Sequence, residues 1–193
     1  LRKKWELRSY AQDITNIVFH LDASPYSIAA VLCINDEPWE FFSSPLTQDD
    51  VVIHRRKIGD SKGQQVWESL TLLVALTLWF NYWSCSRCSF TIKSDNNSAL
   101  ILAATLKSSK GLNLIAREIA LLYCKAQYEP RFLEHVPGVM NVAADSLSRL
   151  NDPSKTYSIP EWLQSAKRVE TPARTREFYK TLSFHTAGGS ERG

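Results

Sequence analysis

One long apolar stretch constrains the fold of this chain more than any other feature. Residues 64–83 read QQVWESLTLLVALTLWFNYW, with apolar side chains on nearly every side of a helix drawn through them. Such a helix must be covered on more than one face, so the pattern predicts a buried helix inside a layered domain. Its longest apolar run, Leu70 to Trp83, is interrupted by Thr71, Thr77 and Asn81 and is too short to cross a bilayer, so no membrane partner is expected.

Short segments rich in β-branched and aromatic residues surround this helix. The predicted strands span residues 15–21, 28–34, 39–42, 89–93 and 131–136, and the other predicted helices span 97–107, 112–128 and 141–150. The first three strands form a predicted antiparallel meander, and residues 43–63 are predicted to be a polar loop. The element order indicates an α/β fold with a mixed five-stranded sheet, an antiparallel meander plus parallel strands, flanked by helices.

The pattern divides the 193 residues into three parts. Residues 15–150 carry the predicted domain, and residues 1–14 are interpreted as a linker from a preceding region. Residues 151–193 are interpreted as a linker or docking tail, partly disordered, with one docked turn at 159–163. Because the chain begins at Leu1 instead of a methionine, we expect it to be a piece of a longer polypeptide.

Charge and cysteine content leave the partner undecided. The net charge of +3 is too small to indicate nucleic acid by itself, although Arg55, Arg56 and Lys57 form a local basic cluster. Cys85 and Cys88 have the spacing of a zinc or redox motif, but no second pair completes a site, so isolated thiols in a reducing, intracellular setting are the expectation.

Four carboxylates stand where propensity does not favour them: Asp22, Glu68, Asp95 and Asp145. Each has a structural alternative. Asp22 can begin the turn at Ser24, Glu68 can be exposed near a helix start, Asp95 can be an N-cap, and Asp145 can suit the positive end of a helix.

Taken together, the carboxylates suggest a metal site. Asp22 and Asp95 follow predicted strands directly, and ligands gather at the carboxyl ends of strands in open α/β sheets. Crowded carboxylates repel one another, and a hard divalent cation relieves that repulsion. Oxygen ligands suit Mg²⁺ or Mn²⁺ better than zinc, and two such ions can support phosphodiester hydrolysis.

Ordered motifs give the chain a resemblance to a known family. LDAS (21–24), WESLTLLVAL (67–76), IKSDNNSAL (92–100) and EHVPGVMNVAADSLSRL (134–150) resemble the ribonuclease H domain of retroelement reverse transcriptases, especially those of long-terminal-repeat and tyrosine-recombinase elements. The resemblance covers roughly residues 15–150. It implies a ribonuclease H-like fold preceded by a polymerase region in the same polyprotein.

The resemblance also implies roles for individual residues. The equivalent of Asp22 bridges two Mg²⁺ ions, those of Glu68 and Asp95 hold the ion on the leaving-group side, and that of Asp145 holds the ion that activates water. His135 matches a mobile histidine that assists proton transfer and product release. The implied substrate-binding residues are Ser24, Asn96 and Asn141, to which the basic cluster Arg55, Arg56 and Lys57 adds phosphate contacts.

The expected function is therefore an endonuclease that cuts the RNA strand of RNA–DNA hybrids, with two Mg²⁺ ions for which Mn²⁺ can substitute, in a cytoplasmic or nuclear replication particle. Two departures from the family are visible. Residues 25–28 replace small residues of the first hairpin, and no basic protrusion lies between Gly111 and Tyr128, so weak hybrid binding by the isolated domain is expected. Two alternatives stay open: a non-catalytic connection module of a reverse transcriptase, and an integrase- or transposase-type nuclease core.

Overall fold

The structure, a computed structural model, describes residues 15–84, 88–107, 111–126, 132–136, 141–154 and 156–182. The strands are β1 (Thr15–Ala23), β2 (Ser27–Ile34), β3 (Glu37–Pro45), β4 (Cys88–Ser94), β5 (Phe132–His135) and β6 (Lys167–Arg168). The helices are α1 (Gln48–His54), α2 (Gln64–Leu78), α3 (Phe80–Trp83), α4 (Asn97–Thr105), α5 (Asn113–Ala126) and α6 (Val142–Ser148).

The strands form one mixed sheet in the order β5-β4-β1-β2-β3-β6. β1, β2 and β3 pair as an antiparallel meander, while β4 runs parallel to β1 and β5 runs parallel to β4. The predicted α/β fold class is confirmed, with six strands in place of the predicted five. The sixth strand comes from residues 167–168, which pair with Glu40 and Phe41 of β3. A two-residue strand carries too few side chains for its alternation to be visible in the sequence.

The parallel pairing fixes where strand ends meet. Leu21 is level with Ser94, and Ser94 is level with His135. Asp22 and Asp95, each one residue further along, therefore lie at the same edge of the sheet as His135. This edge is the one at which open α/β sheets bind ligands.

Helix α2 lies at the centre of the larger core, as its all-round apolar pattern predicts. Trp67, Trp79 and Trp83 are fully buried in this layer. The predicted single helix over 64–83 is wrong in one respect: it is divided at Trp79 (φ −101°, ψ 22°) into α2 and α3. Trp79 packs edge-on against Phe19, and its indole N–H donates to Glu40 at 3.0 Å, so contacts with the sheet interrupt the local helical preference.

The prediction of a polar loop over 43–63 is also wrong. β3 continues to Pro45, α1 spans Gln48–His54, and a 3₁₀ turn spans Ser61–Gly63. Thr47 begins α1 with a capping box, since its hydroxyl accepts from the Asp50 N–H and the Asp50 carboxylate accepts from the Thr47 N–H. This reciprocal cap explains why a polar segment forms a helix. The other predicted elements are present with slightly different ends.

Helix α6 covers the opposite face of the sheet with help from residues beyond 150. Leu147 and Leu163 are fully buried against Val18 and Val31 there. The predicted turn at 159–163 is present as a 3₁₀ turn over Glu161–Leu163. Residues 1–14 and 183–193 lie outside the described residues, and the division into linker, domain and tail stays a prediction.

Beyond the turn, the chain packs against the first helix. Arg174, 4% exposed, donates to both carboxylate oxygens of Asp50, and the fully buried Tyr179 hydroxyl lies 2.8 Å from His54 Nε2. His54 is therefore part of the core, separate from the exposed side chains of Arg55 and Lys57. No helix among the described residues is long and apolar enough to cross a membrane.

Candidate active site

Three of the four predicted carboxylates meet at the carboxyl edge of the sheet. Asp22 of β1, Glu68 of α2 and Asp95, directly after β4, each offer a ligand atom within 4.8 Å of the others. Asp22 is 5% exposed and Glu68 is 3% exposed, while Asp95 faces solvent. Two carboxylates of this acidic group are thus buried, and the third faces solvent.

Glu68 is buried in the first turns of α2. Its Oε1 accepts from Gln64 Nε2 at 2.9 Å, and its Oε2 is buried without a hydrogen-bond partner in the described part of the chain. The alternative that Glu68 is simply exposed near the helix start is therefore wrong. A buried carboxylate oxygen without a partner is costly unless it is protonated or binds a cation.

Asp95 does not cap the helix that follows it. Asn96 is the N-cap of α4, and its side-chain oxygen accepts from the N–H groups of Ser98 at 2.9 Å and Ala99 at 3.2 Å. The capping alternative for Asp95 is therefore wrong. Its carboxylate belongs to the acidic group, whereas the predicted substrate contact of Asn96 stays a prediction.

Asp145 lies apart from the acidic group. Its Oδ1 accepts from Arg149 Nε at 2.6 Å, one turn further along α6. Asp145 is in the first turn of the helix, where the helix dipole favours a negative charge. It is still close enough for its charge to raise the pKa of Asp22 and of Asp95.

Burial and mutual repulsion disfavour ionisation of the group. Burial, reinforced by the charges of Asp95 and Asp145, raises the pKa of Asp22 to about 7, although the hydrogen bond from Ser148 opposes this rise. Burial and the charge of Asp22 raise the pKa of Glu68 well above its usual value. Burial also raises the pKa of Asp95. The repulsion becomes severe only when all three are ionised, which is the state that binds cations.

His135 and Asn141 lie on the two sides of this edge. His135 is exposed, and its Nε2 lies 3.0 Å from the carbonyl oxygen of Asp95. Asn141 is the N-cap residue of α6, but its side chain makes no cap and instead donates to the carbonyl of Leu21 at 2.9 Å. Its Oδ1 is buried without a partner among the described residues. The Pro-Gly segment between them, residues 137–138, lies outside those residues.

The remaining predicted substrate-binding residues are not all exposed. Ser24 is 6% exposed, and its hydroxyl donates to the carbonyl of Ser148 at 2.6 Å. Arg55 and Lys57 are exposed after α1, and Arg56 Nη1 donates to the Arg55 carbonyl at 3.2 Å. Substrate contacts by these residues stay predictions.

Two residues that the sequence analysis did not select contact the acidic group directly. Gln64 reaches Glu68 and the carbonyl of Ala23 from one helical turn before Glu68. The Ser148 hydroxyl donates to Asp22 Oδ2. Both lie three or four residues from a selected acid on the same helix. Residues at this spacing are neighbours on a helix surface, so the spacing could have indicated their proximity to the site.

The residues present fit a hard divalent cation. All three donor side chains are carboxylates, as Mg²⁺ and Mn²⁺ prefer, and no cysteine or histidine joins the group among the described residues. The unpartnered Glu68 Oε2 is a ready ligand atom. Of the cysteine pair, Cys88 does not belong to the group, and its thiol donates to the Trp83 carbonyl, while Cys85 lies outside the described residues.

Comparison with known proteins bears on the fold. No family model and no curated protein matches the chain. Among solved structures, it is similar to RNase H1 from the halophilic archaeon Halobacterium salinarum NRC-1, with 12% identity over 74% of this chain and 100% of that one, and a TM-score of 0.51.

Two further solved structures are similar at lower scores. LC11-RNase H1, isolated from compost by a metagenomic approach, is 16% identical over 70% of this chain and 93% of its own, with a TM-score of 0.48. The N-terminal RNase H domain of rv2228c from Mycobacterium tuberculosis is 14% identical over 69% and 90%, with a TM-score of 0.49. The element order, the mixed sheet and the likeness to the archaeal protein establish that this chain has a ribonuclease H-like fold.

Proposed function

We propose that the chain is an endonuclease that hydrolyses the RNA strand of RNA–DNA hybrids. The observation that carries the proposal is the group formed by the buried Asp22 and Glu68 and the exposed Asp95 at the carboxyl edge of a ribonuclease H-like sheet. Three ionised carboxylates this close destabilise the fold unless a cation neutralises their charge.

The acidic residues have distinct tasks in this proposal. Asp22, Glu68 and Asp95 hold two Mg²⁺ ions, which Mn²⁺ can replace, and Asp145 joins them from α6 by leaving Arg149. Bound divalent ions would supply an activated water and charge compensation at the leaving oxygen. His135, which is exposed beside the Asp95 backbone, would exchange protons with solvent and product.

Residues near the acidic group are proposed to bind the hybrid. Discrimination uses the 2′-hydroxyls and minor-groove shape of the hybrid. Ser24, Asn96 and Asn141 border the edge, and Arg55, Arg56 and Lys57 contact phosphates. Helix α5 carries few basic residues, with Arg117 and Lys125 its only ones. We therefore expect hybrid binding to depend on an attached polymerase, in the polyprotein of a retroelement reverse transcriptase that acts inside the cell.

A cleavage assay tests this proposal. The 193-residue chain is incubated with a hybrid labelled on the RNA strand and Mg²⁺, with Asp22→Asn and Asp145→Asn as site variants. Asp36→Asn is the matched control, because Asp36 lies in the exposed turn at the opposite end of the sheet with φ 68°, which asparagine also adopts readily. We expect cleavage by the wild type and by Asp36→Asn, and loss of cleavage in both site variants.

Other results would assign the chain differently. Undiminished cleavage by either site variant would refute the roles given to the carboxylates. Processing of a DNA end in place of the hybrid would favour an integrase- or transposase-type core. Binding to a polymerase domain without any cleavage would favour a connection module.

A further inference from the structure

One serine links the acidic group to helix α6. Ser148, the last residue of α6, has no solvent exposure, and its hydroxyl donates to Asp22 Oδ2. Its carbonyl oxygen accepts from the hydroxyls of Ser24 at 2.6 Å and Ser27 at 2.5 Å. The two ends of this residue therefore hold the Asp22 side chain and the hairpin turn that follows Asp22.

Two acceptors lie within hydrogen-bond distance of the Ser148 hydroxyl: the Asp22 carboxylate and the carbonyl of Asp145. The hydroxyl has a single proton, and the carbonyl of Asp145 lies at 3.0 Å. A carboxylate is the stronger acceptor, because charge-assisted hydrogen bonds are shorter and roughly twice as strong as neutral ones. The proton therefore points at Asp22, and the Asp145 carbonyl retains its bond from the Arg149 N–H at 3.2 Å.

This contact leaves Asp22 free to bind a cation. A carboxylate has four lone-pair positions, and Ser148 uses one of them. The remaining positions stay available beside Glu68 and Asp95. Because α6 also carries Asp145 three residues earlier, the same bond fixes the placement of Asp22 relative to the helix that bears the fourth acid.

We propose that Ser148 is a positioning residue for the cation site, which fixes the rotamer of Asp22 and couples Asp22 to the helix that carries Asp145. This inference rests on the proposed function, because it assigns Ser148 to the cation site of that enzyme. A purely structural serine would only satisfy a helix end, and the structure offers one for comparison. Ser43 of β3 is also buried, at 9% exposure, and donates at 2.7 Å to the carbonyl of Leu147, one residue before Ser148, with no hydrogen bond to an acid among the described residues.

The test compares Ser148→Ala with Ser43→Ala in the 193-residue chain, using Mn²⁺ without nucleic acid as the probe. Each variant loses one buried hydroxyl that ties α6 to the sheet, so we expect both to lose a few degrees of melting temperature. Isothermal titration should show Mn²⁺ affinity about tenfold weaker in Ser148→Ala, since removal of residues that orient metal ligands typically costs 10–100-fold. The affinity of Ser43→Ala should equal that of the wild type. In the cleavage assay, Ser148→Ala should lower kcat and leave KM for the hybrid unchanged.

A second variant distinguishes loss of the hydrogen bond from loss of the fold. Ser148→Cys keeps the shape of the side chain but donates weakly, so its Mn²⁺ affinity should fall between those of the wild type and Ser148→Ala. Wild-type affinity in Ser148→Ala, equal loss in Ser43→Ala, or no Mn²⁺ binding by the wild type would each overturn the proposal. If the wild type binds Mn²⁺ but leaves the hybrid intact, the proposed function fails, while the role of Ser148 is still decided by the Mn²⁺ affinities.

Discussion

Neutralising Asp22 should stabilise the cation-free protein. Burial together with the neighbouring acids raises the pKa of Asp22 to about 7 from its ordinary 3.8. An acid whose pKa is raised on folding binds more protons in the folded state than in the unfolded state. The stability that this proton provides is therefore complete below the unfolded pKa and is lost as the pH rises through about 7. Asp22→Asn removes the ionisation and should prevent the loss.

The size of the effect follows from the pKa difference. Each pKa unit corresponds to about 1.36 kcal/mol, so a rise of roughly three units costs at most about 4 kcal/mol at pH 8. At pH 5 only about one unit separates the pH from the unfolded pKa, and the cost is about 1.5 kcal/mol. For a chain of this length, about 4 kcal/mol corresponds to a rise of roughly 8–16 °C in melting temperature. These values are ceilings, because water reaching the open side of the group lowers the penalty.

Thermal unfolding in a chelator, followed by circular dichroism between pH 5 and pH 8, measures this effect. The wild type should become less stable as the pH rises, and Asp22→Asn should lessen that fall. Mg²⁺ should raise the melting temperature of the wild type at pH 8 and have little effect on Asp22→Asn. The exposed control Asp36→Asn should behave as the wild type does. Equal pH dependence in the wild type and Asp22→Asn would show that burial does not raise the pKa of Asp22.

Three stability predictions concern the rest of the fold, each measured as the urea midpoint of unfolding. Arg174→Leu leaves Asp50 buried without its partner and should destabilise by about 3–5 kcal/mol, and a loss below 1 kcal/mol would mean that water reaches Asp50. Thr47→Ala removes the cap of α1 and should cost about 0.5–2 kcal/mol, with Thr47→Ser as the control that retains the cap. Leu163→Ala opens a cavity under β1 and β2 and should lower the free energy of unfolding by about 2–5 kcal/mol. An unchanged midpoint would show that the 3₁₀ turn does not pack against the core.

The sequence predicted the elements whose signal is local and periodic. The meander is visible because β-branched runs are separated by a turn at Asn35 and Asp36, both of which have positive φ in the structure. The all-round apolar pattern of α2 correctly predicted burial. The break at Trp79 was not predictable, because it depends on aromatic and hydrogen-bond contacts with the distant residues Phe19 and Glu40.

Helix α1 has one local signal in the sequence, its N-terminal cap. Thr47 and Asp50 form the pattern of a capping box, but the helix is short and its composition is polar. Its Asp50 is also paired with Arg174, more than a hundred residues away, so the helix depends on a contact outside its own segment. Apolar periodicity in the sequence indicates which face of an element is buried. A seven-residue helix whose buried contact is an ion pair shows too little of this periodicity to be predicted.

The candidate site shows the same division between local and tertiary information. Sequence motifs selected Asp22, Glu68 and Asp95. The sheet brings Asp22 and Asp95 together because parallel strands end at one edge, and α2 adds Glu68. The local alternatives for Glu68 and Asp95 could be rejected only with the structure, since burial and cap choice depend on neighbours across the fold. Side-chain direction likewise depends on tertiary contacts: the Asn141 side chain turns towards β1 in place of the helix end.

The packing of residues beyond 150 depends most clearly on tertiary contacts that the sequence does not reveal. Their composition is that of a linker, yet Leu163 and Tyr179 are fully buried, and Glu118 of α5 accepts hydrogen bonds from the N–H groups of Lys180 and Thr181 at 3.0 and 2.7 Å. Each contact involves a single side chain in a segment with only short regular elements, so no periodic signal accompanies it. The same segment provides Arg174 for α1, which leads directly to the loop of Arg55, Arg56 and Lys57. Changes in this segment should therefore reach the proposed phosphate contacts through α1.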